Sequence, residues 1–349
     1  MDESRAVVVV GGTGLVGGEI LKLLRQTYPQ VRLMVASRSL ERAQQAAGPL
    51  GAEPLVVDVA KPRPLGALTQ PPLAVINAVN DPEDLLLLNA VEAQVPLVDV
   101  TRWTTRVRDS LVRLAHRPPS SPVMLASGWM GGMASLAAAA VSQRGPSAQR
   151  LDISITYDLQ DRSGPDSVEF MDRLGTTFEV MQQGARTAVE PLGPGHAVQF
   201  PDGVVRRTYP LDTPEQMTIP LLLGIPSVAT RIAFNSRAAT LSLVWLARLG
   251  VFRWLRHPRF TPLRRALLGS GGKGGRASFV VEAEGRRLSV VDPLGQAHLT
   301  AVGAVMALQR LLGWDGAPAA KGVVFPEQHP NPQDALQRAS QLGVLLQWN

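Results

Sequence analysis

Glycines at fixed spacing carry the most chemical information in this chain. The run Gly11-Gly12-Thr13-Gly14-Leu15-Val16-Gly17 holds G-x-G-x-x-G at Gly12, Gly14 and Gly17, and G-x-x-G-x-x-G at Gly11, Gly14 and Gly17. It follows the apolar run Ala6–Val10 directly and opens a stretch with helical spacing, Leu15–Arg25. Between a strand and a helix, such glycines let the backbone turn tightly and approach a pyrophosphate, while the helix N-terminus offers free N–H groups and a partial positive charge. A tight turn with no ligand would use the same residues. The context favours dinucleotide contact by Gly11, Thr13, Gly14, Leu15 and Val16.

The second strand decides which dinucleotide. A site for NAD places an acid about 20 residues beyond the glycines, to bind the ribose 2′-OH. Ser37-Arg38-Ser39 stands there instead. A guanidinium forks onto a phosphate and two hydroxyls add donors, so NADP(H) is the predicted cofactor. Asp58 and Val59 after the third strand, and Asn77, Ala78 and Val79 at the fourth, fall by position on the edge where adenine and nicotinamide lie.

Beyond the cofactor, Asp99-Val100-Thr101-Arg102-Trp103 lies just past the fifth strand. Asp99 there can orient substrate or relay a proton, or cap the next helix; Trp103 can wall a nicotinamide pocket, or simply pack. Trp129 and Met130 can line an apolar pocket or the core. Tyr157 ends a strand and can donate a proton to a developing alkoxide or amine, or present its hydroxyl to water. Asp99 and Tyr157 are thus the catalytic candidates, and Trp103, Trp129 and Met130 the substrate contacts. The short-chain-reductase pair Tyr-x-x-x-Lys does not occur, and His196 sits in a Pro/Gly loop. The chain has no cysteine, and its five histidines form no HxxxH or HxH pair, which argues against thiolate chemistry and a zinc site.

The elements that must position these groups form an α/β pattern. Continuous apolar runs (Ala6–Val10, Val31–Ala36, Pro54–Val57, Ala74–Ala78, Leu97–Val100, Val123–Ala126) alternate with amphipathic stretches, as parallel strands buried on both faces require. Asp81-Pro82-Glu83 opens the helix before the fifth strand. After Gly145-Pro146 the texture changes. Leu151–Tyr157 and Ser278–Glu284 alternate like half-buried strands, Val168–Gln183 reads as a helix, and Pro191–Pro226 is punctuated by Pro and Gly. Helices follow at Leu299–Leu312 and Gln333–Leu342. The expected fold is a Rossmann doubly wound parallel sheet over residues 1–130, an inserted α/β domain with a mixed sheet over 150–290, and a C-terminal segment, 291–349, returning to the first domain.

With these segments placed, the chain resembles the saccharopine-dehydrogenase-like family of NAD(P)-dependent oxidoreductases, of saccharopine-reductase type. The resemblance rests on GGTGLVGGEILKLL, VASRSLERAQ, AVINAVN, NAVEAQVPLVDVT, LASGWMGGM, FPDGVVRRTYPLDTPEQ and KGVVFPEQ, in the family's order. It implies hydride transfer between a nicotinamide and a C–N bond, and a homodimer formed through the inserted domain. The departure is Gly128-Trp129-Met130-Gly131-Gly132, which lacks the family's proline and brings two bulky apolar side chains. An amino-acid substrate would want a concentrated set of cations and carboxylates there; Asp99, Arg102, Arg106 and Arg173 are candidates but make no dense cluster in the sequence.

The expected function is therefore an NADPH-dependent reductase or dehydrogenase acting on a carbonyl, imine or enoyl group of a moderately apolar small molecule. The alternatives are a saccharopine-reductase-like amine or amino-acid dehydrogenase, and a non-catalytic NADP-binding sensor or scaffold. Net charge is +6, yet Leu241–Gly275 alone holds seven basic residues and no acid. No nucleic-acid-binding motif accompanies that charge, so no nucleic-acid partner is expected. The start MDESRAVVVV does not read as a signal peptide, and a cytoplasmic location is expected. Residues 241–268 interleave Trp, Phe and Leu with arginine, the composition of a helix lying on a membrane surface, or of a buried or subunit-interface helix.

Overall fold

The computed structural model describes residues 5–158, 160–161, 173–255, 257–260 and 275–349. The chain divides into two compact units: Met1–Met133 with Thr300–Pro330, and Ala134–Leu299 with Asn331–Asn349.

The first unit is built on seven parallel strands: β1 (Val7–Val10), β2 (Leu33–Ser37), β3 (Glu53–Val56), β4 (Ala74–Asn77), β5 (Leu97–Asp99), β6 (Val123–Leu125) and β15 (Val323–Val324). Their order, β15-β6-β5-β4-β1-β2-β3, is that of a doubly wound nucleotide-binding sheet with one strand added beyond β6. The all-valine β1 is buried along its length, as a central parallel strand covered on both faces must be. Helix α1 (Leu15–Thr27) presses Ile20, Leu21, Leu23 and Leu24 inward, and Arg25 in its last turn donates to the carbonyls of Leu50 (2.9 Å) and Val31 (3.1 Å). Helices α2 (Leu40–Ala47), α3 (Leu85–Glu92) and α4 (Thr104–His116) complete the strand–helix alternation. Helix α5 (Met133–Ser142) leads out of this unit.

The second unit holds a mixed sheet ordered β10-β11-β12-β7-β13-β14-β16. Its strands are β7 (Leu151–Tyr157), β10 (His196–Gln199), β11 (Val205–Pro210), β12 (Val228–Phe234), β13 (Ala277–Ala283), β14 (Arg286–Asp292) and β16 (Leu345–Trp348). Strands β12 and β7 run parallel, and the other pairs antiparallel. A separate hairpin joins β8 (Phe178–Gln182) to β9 (Ala185–Val189). Helices α6 (Glu215–Leu223), α7 (Arg237–Arg248) and α8 (Val251–Leu255) precede β13. Helix α9 (Gln296–Leu312) passes from this unit into the first, and α10 (Pro332–Gln341) belongs to the second.

Three expectations change. Residues 178–182 form a strand, not the end of a helix, because Phe178 and Val180 alternate inward at period two; residues 168–172 lie outside the described residues. The punctuated residues 191–226 contain β10, β11 and α6, so His196 opens a strand and does not sit in a loop. The C-terminal segment does not return as one piece to the first unit. Residues 300–330 do, adding β15 to the parallel sheet, whereas 331–349 belong to the second unit, where β16 pairs with β14 over Leu288↔Trp348 to Val291↔Leu345. Pairing satisfies the edge of β14, which would otherwise present open backbone groups.

Candidate functional site

The parallel sheet brings every predicted cofactor residue to one edge. Gly11–Val16 follow the C-terminal end of β1, Ser37–Ser39 that of β2, Asp58 and Val59 that of β3, and Asn77–Val79 that of β4; these four strands are neighbours. The glycines differ in what they are for. Gly11 takes φ +84°, and a Cβ there would lie 2.5 Å from Val79 Cγ1 and 3.0 Å from the Ala78 carbonyl oxygen, so it turns the chain against the β4 edge. A Cβ on Gly12 would meet Leu21 and Val35 at 2.8 and 3.0 Å, and one on Gly17 would collide with the Gly11 carbonyl, so both serve close helix–sheet packing. Gly14 is exposed and would meet only the Gly11 carbonyl oxygen, at 3.2 Å. It is the extended N-cap of α1, with no side chain capping the helix, which leaves the first-turn N–H groups for an anion.

At the end of β2, the two serines are partly engaged in local structure. Ser39 caps α2, accepting from Arg42 N at 3.3 Å, and Ser37 Oγ accepts from Ser39 N at 3.3 Å. Arg38 between them is exposed and has no hydrogen-bond or ion-pair partner among the described residues. Asp58 shapes the turn after β3, accepting from Ala60 N at 3.1 Å. A cation without a carboxylate partner thus stands where an NAD site would place an acid.

Asn77 and Asp99 are fully buried and face each other, Asn77 Nδ2 donating to Asp99 Oδ2 at 2.8 Å. Asn77 Oδ1 in turn accepts from Val79 N at 3.2 Å, which fixes the turn after β4. Asp99 Oδ1 accepts from the backbone and hydroxyl of Thr101, both at 2.9 Å, and Oδ2 accepts from Arg102 Nε at 3.1 Å. Ser127 Oγ donates to the Asp99 carbonyl at 3.0 Å, tying β6 to β5. Both carboxylate oxygens of Asp99 are thus taken by its own loop and strand neighbours. Through these bonds the Asp99 carboxylate organises the sheet edge.

Arg102 extends this network inward. It is 2% exposed, and besides Asp99 it donates to Asp84 and to Ser110 Oγ (2.7 Å), with Asp81 at 3.6 Å. Arg106 donates to Asn80 Oδ1 at 2.8 Å, and pairs with Asp84 at 3.3 Å, as Arg113 does at the same distance. Three arginines therefore balance three carboxylates. Asp81 also accepts from the N–H groups of Leu85 (2.9 Å), Leu86 (3.1 Å) and Leu87 (3.2 Å), so its side chain caps α3, whose first residue lies one turn later than the Asp81-Pro82-Glu83 signal implies. Burial holds the Asp81 carboxyl above its ordinary value, with Asp99 and Asp84 adding to it, against the Leu87 N–H and Arg102. Burial would lower Arg102, but the Asp99 and Asp84 carboxylates outweigh it and raise its pKa. The motif reading took Asp81 only as a helix start and missed Asp84 and Ser110. The available signal was Arg106, Ser110 and Arg113 at i, i+4 and i+7, one face of α4.

The substrate candidates of the first unit follow β5 and β6. Trp103 is half-buried at the N-cap of α4, with no side-chain cap bond. Trp129 and Met130 are half-buried in the loop between β6 and α5. Met130 takes φ +55°, followed by Gly131 at +62° and Gly132 at +82°. A non-glycine residue in this region is unfavourable by about 1 kcal/mol or more, and such residues concentrate at functional sites. The surroundings hold it: Thr300 Oγ1 donates to Met130 Sδ at 3.6 Å, and a Cβ on Gly131 would lie 2.5 Å from the Thr300 carbonyl oxygen. Tyr157 belongs to the second unit, at the end of β7 beside Phe234 of β12, with ring centroids 5.6 Å apart. His196 is exposed at the start of β10. Among the described residues no group of three His, Asp or Glu side chains is arranged to hold a metal ion.

Residues 7–121 match the family model described as saccharopine dehydrogenase NADP binding domain. Over those residues the chain is similar to that domain. Solved structures extend the likeness of fold beyond that domain. Saccharopine dehydrogenase (L-Glu forming) from Saccharomyces cerevisiae is 14% identical, with 99% of each chain covered and a TM-score of 0.70. Homospermidine synthase from Legionella pneumophila, solved with NAD, is 11% identical, covering 99% of this chain and 91% of that one, with a TM-score of 0.68. An amine dehydrogenase from Mycobacterium smegmatis is 13% identical, covering 93% and 96%, at a TM-score of 0.50. A comparison with curated proteins finds no match. The chain therefore shares the fold of these solved structures along its length, and residues 7–121 are similar to a dinucleotide-binding domain.

Proposed function

We propose that the protein is an NADPH-dependent oxidoreductase acting on a carbonyl, imine or enoyl group of a small, moderately apolar molecule. The observation that carries the cofactor choice is Arg38, exposed and without a partner at the end of β2, where discrimination between the two nicotinamide dinucleotides is made. The bound cofactor supplies the hydride; the chain binds and orients it. The Gly11–Val16 turn and the N-terminus of α1 hold the pyrophosphate, and Arg38 with the flanking serine hydroxyls takes the 2′-phosphate. Asp58 and Val59 border the adenine side, and Asn77–Val79, fixed through Asp99, border the nicotinamide side. Trp103, Trp129 and Met130 present apolar surface along the same sheet edge.

Substrate polarity is argued from how charge is used. An amino-acid substrate needs a cation for its carboxylate, but Arg102 and Arg106 are occupied by Asp81, Asp84, Asp99 and Asn80. In the second unit Arg173 is paired with Asp212. This favours an apolar acceptor over an amino-acid dehydrogenase. The test is NADPH oxidation against panels of carbonyl, imine and enoyl compounds, lipid-like ones included, beside a panel of amino acids with keto acids. Turnover confined to the first panels supports the reading. Turnover confined to amino-acid substrates refutes the substrate class. Tight NADPH binding without turnover on any compound favours a sensor.

A further inference from the structure

On the second unit, α7 reverses the usual division of a surface helix. Ser236 caps its start, accepting from Ala239 N at 3.2 Å, and one side buries Thr240 and Val244. The side turned away from them is not polar. Leu241, Trp245 and Leu249 form an i, i+4, i+8 row beside Leu246, and all four are exposed, Trp245 at 60% and Leu249 at 73%. Gly250, at φ +72°, turns the chain into α8, which buries Phe252 and Leu255 and leaves Trp254 57% exposed.

The charge on this face has one sign. Arg237, Arg248, Arg253 and Arg259 are exposed, and none has a carboxylate partner among the described residues. Arg248 lies over the Trp245 ring at 6.0 Å, and Arg259 over Trp254 at 5.9 Å and Phe260 at 4.6 Å. From residue 216 to residue 281 the sequence contains ten Arg and Lys residues and no Asp or Glu. Arg256 and residues 261–268, which belong to the same stretch of sequence, lie outside the described residues.

We propose that the α7–α8 face docks the protein peripherally on an anionic lipid surface. The exposed tryptophans and leucines enter the headgroup boundary, and the unpaired arginines meet anionic headgroups. Charge complementarity selects this occupant over a second copy of the chain. A two-fold contact centred on the face would set each arginine among its own copies, and the 66-residue stretch of sequence that carries the face holds no acid to neutralise them. Lying on the surface also suits the elements present: among the described residues, no helix is long and apolar enough to cross a membrane.

The experiment is flotation of the full chain with vesicles of phosphatidylcholine alone and of equal parts phosphatidylcholine and phosphatidylglycerol, at low and raised salt. Binding is expected to the anionic vesicles and to weaken with salt. Each arginine at an anionic surface contributes about fivefold to partitioning, so Arg237→Gln, Arg248→Gln and Arg253→Gln together should weaken binding on the order of a hundredfold. Trp245→Ser with Trp254→Ser should weaken the part that survives raised salt. All five side chains are exposed, so thermal unfolding should stay close to wild type. The proposal is overturned if wild type binds neither vesicle, binds both alike, or keeps its anionic binding in both variants. It is equally overturned if vesicles are not bound and the same substitutions instead dissociate a dimer, which would make the face a contact between copies.

Discussion

Replacing Arg102 with methionine should cost stability far more than cofactor affinity. The guanidinium is 2% exposed and contacts Asp99 through Nε at 3.1 Å and Nη2 at 3.0 Å, Asp84, and Ser110 at 2.7 Å, with Asp81 at 3.6 Å. In its absence Asp84 keeps Arg106 and Arg113, but Asp81 and Asp99 lose their cation while staying buried. Breaking a buried ion pair from one side costs about 3–5 kcal/mol. In a unit of this size that lowers the midpoint by about 10 °C, at roughly 2–4 °C per kcal/mol. The pH dependence gives a second reading. Burial already raises Asp81 above its ordinary value, and removing Arg102 raises it further. A carboxyl whose folded pKa exceeds the unfolded one costs stability above the folded value, and that cost is relieved as pH falls toward 3.8. The deficit of the variant, measured by urea unfolding at neutral and acid pH, should therefore shrink on the acid side. A variant within about 0.5 kcal/mol of wild type, the range of ordinary surface changes, would refute the network argument. So would a deficit that does not change with pH. Intact stability with lost substrate affinity would return Arg102 to the list of ligands.

Two further outcomes separate packing from binding and cofactor from substrate. Gly17→Ala, whose Cβ would collide with the Gly11 carbonyl, should abolish dinucleotide binding and lower the unfolding midpoint, whereas Gly14→Ala, meeting that carbonyl oxygen only at 3.2 Å, should leave the midpoint within about 2 °C and weaken binding alone; calorimetric titration and thermal melts distinguish them. Trp129→Ala and Tyr157→Phe should keep NADPH affinity within about threefold, less than a single lost hydrogen bond would cost, while lowering turnover on the true substrate; a variant with unchanged turnover removes that residue from the reacting site.

The nucleotide-binding part was legible because its signals are local. Val7–Val10 is continuous and apolar, the glycines follow at once, and Ser37-Arg38-Ser39 closes the next strand, all within one βαβ unit. Leu151–Tyr157 was legible for a different reason, seven residues of clean alternation. Short strands were not. Phe178–Gln182 has five residues in which to show a period of two, and Leu345–Trp348 pairs with a strand more than fifty residues away. Asp99 illustrates the limit for sites. Its position at the end of β5 could be read, but not that Thr101, Arg102 and Asn77 consume its oxygens, since that depends on a loop folding back and on a neighbouring strand. The α3 start was misplaced because Asp84 takes φ +56°, so a proline-marked turn precedes the helix and Asp81 caps it from outside.

If Arg38 makes this a phosphate-reading site, titration of NADPH and NADH into wild type and Arg38→Ala will show it. One charge-assisted phosphate contact is worth about 1.5–3 kcal/mol, on the order of tenfold to hundredfold. Wild type should bind NADPH tighter than NADH, and the substitution should weaken NADPH by about that factor while leaving NADH nearly unchanged, bringing the two affinities together. Equal affinities in wild type, or an NADPH preference that survives the loss of Arg38, would contradict the account.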